Sequence, residues 1–178
     1  DVYKRQEGDL PAVEAEYEKL ARQLQGRKDV NFFHFNVDLA QGPCVIKRLR
    51  GCGAGCEYVA ITPDGDIYPC HQFVGREEYR MGNVRSGDFD MDISGKFAEL
   101  NIYTREDCRN CWARFYCSGG CSASNLLVNG DIKKPNAVAC EMERKRLECA
   151  IALRAIAAGM GETENTECNN TDLSLIHI

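Results

Sequence analysis

The fourteen residues Cys108–Cys121, CRNCWARFYCSGGC, place four cysteines around Trp112, Phe115 and Tyr116. Cys108-x2-Cys111 is a spacing that lets two thiolates reach one metal centre, with backbone N–H groups of the tight turn aimed at the sulfurs. Cys117 follows after five residues and Cys121 after three more. The linker Ser118-Gly119-Gly120 breaks helical geometry, so Cys121 need not serve the same centre as Cys117. Seven further cysteines stand at 44, 52, 56, 70, 140, 149 and 168. Cys52 and Cys56 flank Gly53-Ala54-Gly55, a flexible spacer that gives Cys56 reach, and Cys70 closes a candidate hairpin. Three chemistries answer to such a set: disulfides, zinc, or iron–sulfur clusters. An odd count of eleven leaves one thiol over in any all-disulfide scheme. Zinc sites commonly recruit histidine, and His34, His71 and His177 stand at no ligand spacing from these thiols.

The elements that must position these thiols are legible along the chain. Val13, Tyr17, Leu20 and Leu24 recur at helical spacing, Pro11 suits a first turn, and Gly26 ends the segment, which predicts a helix over 10–25. The β-branched and aromatic run 30–39 reads as a buried strand. A helix followed by a strand is what the end of an α/β barrel looks like. Residues 57–70, EYVAITPDGDIYPC, read as a β-hairpin turning at Pro63-Asp64-Gly65. A short helix is expected at 95–101 within an otherwise irregular stretch 86–107. After Cys140 a helix is expected, with Met142, Leu147, Ile151 and Ile156 as its buried stripe, Cys149 as a small buried hydrophobe and 141–146 as a solvated charged face. The segment 159–172, with Cys168, reads as disordered. No internal repeat is present.

Composition narrows the function classes. The chain has 178 residues, 44% hydrophobic and 28% charged, which suits small domains with real cores. A net charge of −5 argues against a nucleic-acid partner. No secretory leader and no run long enough to cross a membrane is evident, so a reducing cytoplasm is expected, where clustered cysteines mean metal more often than disulfides. The termini are unusual. DVYKRQ can be encoded by an eighteen-base string whose reverse complement reads LSLIHI, the last six residues. Residues 1–6 and 173–178 therefore read as adaptor-like scars, and 7–172 as a piece of a longer protein.

The pattern C-x12-G-x4-C, C-x2-C-x5-C-x3-C and a final Cys runs through Cys52, Gly65, Cys70, Cys108, Cys111, Cys117, Cys121 and Cys140. It resembles the seven-cysteine signature of the SPASM domain, a C-terminal extension of radical S-adenosylmethionine (SAM) enzymes that carries two auxiliary [4Fe-4S] clusters. The stretches QGPCVIKRL, EYVAITPDGDIYPCHQFVG, CWARFYCSGGC and CEMERKRLECAI resemble maturases of the six-cysteines-in-forty-five (SCIFF) peptides, which join a cysteine sulfur to a carbon as a thioether. The resemblance implies an α+β fold: a barrel end at 7–43, then an auxiliary-cluster domain at 44–158 with a C-terminal helix. It implies Cys108, Cys111, Cys117 and Cys140 at the second cluster, and Cys52, Cys70 and Cys121 at the first. Cys56, Cys44 or no protein group completes the first. It further implies a missing N-terminal part with SAM and a third [4Fe-4S] cluster, since C-x3-C-x2-C is absent here. The implied partners are a cysteine-rich precursor peptide and an electron carrier such as ferredoxin or flavodoxin. Trp112, Phe115 and Tyr116 would keep solvent from a cluster, and His71 and Gln72 would stand close behind Cys70. Alternatives are a sulfatase-maturating or other SPASM oxidoreductase, and a non-catalytic electron-transfer or zinc-binding module.

Overall fold

A computed structural model describes residues 7–37, 39 and 45–159, with backbone alone at 45–47. The adaptor-like ends, Cys44, Cys168 and the segment beyond Gly159 lie outside the described residues. The chain divides into two compact units, Asp1–Gln41 with Ala137–Ile178, and Gly42–Asn136. Together they hold helices and a four-stranded antiparallel sheet, an α+β composition.

In the first unit, helix α1 (Leu10–Leu24) begins with proline in its first turn and ends before Gly26, whose φ of +72° suits glycine. Its packing partner is the long helix that closes the described chain, Ala137–Gly159. The sequence reading grouped that helix with the cysteine-rich segment. Leu147 is fully buried on it, with Cys149, Ala150 and Ala152, while Met142, Ile151 and Ile156 are half-buried. Burial pushes the Cys149 thiol up to about 11, the behaviour of a packed sulfur and not of a ligand. The charged face is not simply solvated. Lys145 reaches Glu18 of α1 at 2.6 Å, and Arg146 donates to the His34 carbonyl at 2.7 Å. Both basic side chains are largely buried, so they tie elements together.

The expected strand at 30–39 is not formed over its described residues. Phe33–Phe35 is a 3-10 turn, closed by the N–H of Asn36 donating to the Phe33 carbonyl at 3.0 Å, and Phe33 is 71% exposed. A strand needs a neighbour for its N–H and C=O groups, and here these residues satisfy one another locally.

The second unit is built on a meander of β1 (Ala60–Ile61), β2 (Asp66–Tyr68), β3 (Gly82–Asn83) and β4 (Asp88–Phe89), ordered as in sequence. The expected hairpin is present, with Gly65 at φ +91° and its N–H donating to the Thr62 carbonyl at 2.9 Å. Strands β3 and β4 carry no alternation to betray them. They are held by Asn83, which donates to the Asp64 carbonyl at 3.1 Å and to Asp66 at 2.8 Å, while Arg80 pairs with Asp66. Asn83 and Arg80 together hold the Asp66 carboxyl below the usual carboxylate range.

Further helices are α2 (Val45–Arg50), α3 (Met91–Ala98), α4 (Glu106–Arg109), α5 (Arg114–Cys117) and α6 (Ser122–Asn129), which makes the closing helix α7. Helix α3 starts four residues before its expected place because Asp90 caps it, accepting from the N–H groups of Asp92 and Ile93. Such a cap is worth about 1 kcal/mol. The core gathers Ile67, Phe73, Met81, Phe97 and Leu100, with Phe73 edge-on to Phe97 at 5.3 Å. No helix among the described residues is long and apolar enough to cross a membrane.

Candidate metal centre

The site is assembled in the second unit from three stretches of chain. The first is the loop Gly51–Tyr58. The sequence suggested that Gly53-Ala54-Gly55 would be slack, and the structure corrects this. The Gly55 N–H donates to the carbonyls of Tyr58 at 2.9 Å and Pro69 at 3.0 Å, its own carbonyl accepts from Ser94 Oγ at 2.8 Å, and Ala54 is buried. Gly55 is required there: φ is +80° and a Cβ would lie 2.8 Å from Cγ of Phe97. The clamp to Pro69 sets the loop beside Cys70. The Cys56 thiol donates to the Gly53 carbonyl at 3.4 Å, within its own turn.

The second stretch is the end of β2, where Pro69 is fully buried and Cys70 is 6% exposed. Tyr58, 43% exposed, sets its hydroxyl near both Cys52 and Cys70. Burial first, and then negative charge at these two sulfurs, pushes the Tyr58 hydroxyl up to about 12, so it stays a donor. Sequence reasoning passed over Tyr58, although its place two residues after Cys56 was a usable signal. His71 and Gln72, beside Cys70, are exposed.

The third stretch is Arg105–Ser122. Cys108 lies buried in α4, and the Cys111 N–H donates to its carbonyl at 3.1 Å, closing the expected x2 turn. Cys117 ends α5 and Cys121 caps α6. Between them Ser118, Gly119 and Gly120 are all left-handed, with φ of +59°, +85° and +71°. Three such residues in succession break the helical geometry between α5 and α6, as the two glycines led one to expect. This turn meets the first stretch, since a Cβ on Gly51 would stand 3.3 Å from the Ser118 carbonyl. Helix α2 packs on α5, with Arg48 over the ring of Tyr116 at 5.2 Å. Phe115 and Tyr116 are half-buried, and Trp112 is 40% exposed.

At the head of the third stretch lies Arg105, 3% exposed. Its guanidinium donates to the Gly119 carbonyl, to Ser122 Oγ at 2.8 Å and to the Ile132 carbonyl at 3.4 Å. Its buried Nε has no partner among the described residues. Among the described residues no carboxylate pairs with it. Burial pulls its pKa down, opposed by negative charge at Cys108, Cys117, Cys121 and Cys52. Burial likewise pushes the Cys108 thiol up, and Arg105 pulls it back.

The thiols at Cys52, Cys56, Cys70, Cys108, Cys111 and Cys121 are free. Among the described residues no three His, Cys, Asp or Glu side chains are gathered to grip a single ion. The donor set, thiols alone with a buried cation held on the turn between Cys117 and Cys121, fits an anionic iron–sulfur group, in which each thiolate takes its own iron. Cys140 lies on α7, in the other unit.

Residues 52–112 match the SPASM family, an iron–sulfur cluster-binding domain. That span contains Cys52, Cys56, Cys70, Cys108 and Cys111. Over 111 residues the chain is 33% identical to an uncharacterized protein of Archaeoglobus fulgidus, covering 61% of this chain and 25% of that protein. It is 31% identical to the mycofactocin maturase of Mycobacterium ulcerans, covering 60% and 29%, and 30% identical to that of Mycolicibacterium smegmatis, covering 60% and 27%. The chain thus has a SPASM match and homology to mycofactocin maturases, and spans under a third of the length of these relatives.

Proposed function

We propose that this chain is the auxiliary-cluster end of a radical SAM peptide maturase and holds two [4Fe-4S] clusters. The observation that carries the reading is Arg105, a buried guanidinium that grips the turn between Cys117 and Cys121 and pairs with no carboxylate among the described residues. Cys52, Cys56, Cys70 and Cys121 hold the first cluster. Cys108, Cys111 and Cys117 hold the second, and Cys140 as its fourth ligand rests on the family resemblance alone. When bound, the clusters supply one-electron transfer and a Lewis-acidic metal for thiolate. The chain's own residues set their surroundings: the Tyr58 hydroxyl stands near the sulfurs of Cys52 and Cys70, and the Gly55 clamp ties the loop after Cys52 to Pro69, next to Cys70.

In the whole enzyme, a preceding α/β barrel with its own cluster binds SAM and acts on a cysteine-rich precursor peptide, forming a thioether in the cytoplasm, with ferredoxin or flavodoxin as electron carrier. The SCIFF-like stretches support the thioether. The name borne by the mycobacterial relatives favours a second reading, in which the substrate is a peptide of the mycofactocin kind.

Anaerobic reconstitution of the chain is expected to yield about eight irons, four for each cubane, with the brown absorbance of thiolate-bound clusters. A colourless chain carrying zinc and no iron would overturn the reading. Cys56→Ala is expected to alter the first cluster's electron paramagnetic resonance (EPR) spectrum. Full iron with an unchanged spectrum would remove Cys56 from the ligand set and leave that iron open.

A further inference from the structure

We propose that Arg105 is a shared counter-ion, placed between the two cysteine sets so that one guanidinium raises the reduction potential of both clusters. The inference rests on the cluster reading above and adds a residue that neither the cysteine pattern nor the family match contains as a ligand.

The backbone of Arg105 starts α4, where its carbonyl accepts the N–H of Cys108 at 3.1 Å. Its side chain runs back to the turn that separates Cys117 from Cys121, donating to Gly119 within the turn and to Ser122 just beyond it. The fit is close: a Cβ on Gly119 would stand 2.7 Å from Nη1 of Arg105. One residue therefore touches the chain between a second-cluster cysteine and a first-cluster cysteine, and begins the helix that holds another.

Guanidinium stays charged under all ordinary conditions. Burying such a charge is costly unless an anion compensates it. At 3% exposure, the acceptors of the Arg105 guanidinium among the described residues are all neutral, two carbonyls and a hydroxyl, and Nε has none there. The described residues thus supply a positive charge and leave it uncompensated. Thiolate-bound cubanes are net negative and grow more negative on reduction. A fixed neighbouring cation stabilises the reduced form more than the oxidised form and raises the potential. Water and salt screen little at such depth. Because the same guanidinium serves both sets, it moves both potentials together and eases the repulsion between two anionic groups.

The test is an EPR-monitored redox titration of the reconstituted full chain. Arg105→Gln keeps an amide donor but removes the charge. Both midpoint potentials are expected to fall, each reduction equilibrium shifting at least tenfold, equivalent to 59 mV for a one-electron couple. Arg105→Lys, which keeps the charge and loses the fork, should hold both midpoints within that tenfold. Arg109→Gln, which removes an exposed charge beside Cys108, should move them far less. Should Arg105→Gln fail to fold, Ser122→Asp is read in its place, since a carboxylate beside the guanidinium neutralises it without removing it. It too should lower both midpoints. A wild-type chain that binds no iron defeats the cluster reading itself. Iron bound in full, with midpoints unmoved by Arg105→Gln or moved for one cluster only, defeats the shared counter-ion and leaves the cluster reading standing.

Discussion

Gly82→Ala is expected to destabilise the chain by roughly 2–6 kcal/mol, the sum of a forbidden backbone conformation and an overpacked contact. Gly82 lies in β3 at φ +138°, paired with Ile67 on one side and Phe89 on the other. A Cβ there would stand 2.1 Å from the carbonyl oxygen of Asp88, a backbone atom of the adjacent strand. No rotamer change relieves that clash, so β3 and β4 must separate. Native domains are stable by only about 5–15 kcal/mol, which makes the loss large. It also propagates, since β3 holds β2, and β2 carries Cys70 at its end. A fall in the urea midpoint, with reduced iron uptake, is the expected result. An unchanged midpoint would show that the meander is not held by this close approach.

Cys70→Ala is expected to lose the first cluster, leaving about four of eight irons. Cys70 is buried at the end of β2 next to a fully buried Pro69, where no exposed side chain can take its place. The matching control is Cys149→Ala. That thiol is equally buried, but on α7 among Leu147, Ala150 and Ala152, and its removal should leave iron unchanged. Equal iron in Cys70→Ala and wild type would take Cys70 out of the ligand set.

Much of the architecture was legible because its signals are short-range. The turn at Gly65 follows from one residue able to take a positive φ, α1 from a spacing of three and four, and the helix break between Cys117 and Cys121 from two adjacent glycines. The x2 turn at Cys108–Cys111 is likewise a matter of local hydrogen bonding. Where a local signal was incomplete the reading slipped: α3 begins at its Asp90 cap and not at Gly95, and Phe33–Phe35 turns on itself because a β-rich run needs a partner strand.

What only the tertiary structure decided is which distant groups share a place. The acceptors of the Arg105 guanidinium lie 14, 17 and 27 residues along the chain, beyond the reach of any periodicity or turn rule. Gly53-Ala54-Gly55 looked slack because glycine is permissive by itself, and it is rigid because Pro69, Tyr58 and Ser94 hold it. Tyr58 reads as a strand aromatic until Cys52 and Cys70 are brought to its hydroxyl. By itself the sequence determined the kind of donor, the turns that pair them and the family they resemble. Burial decided the rest, because the energy of a charge or a thiol depends on how much water remains beside it.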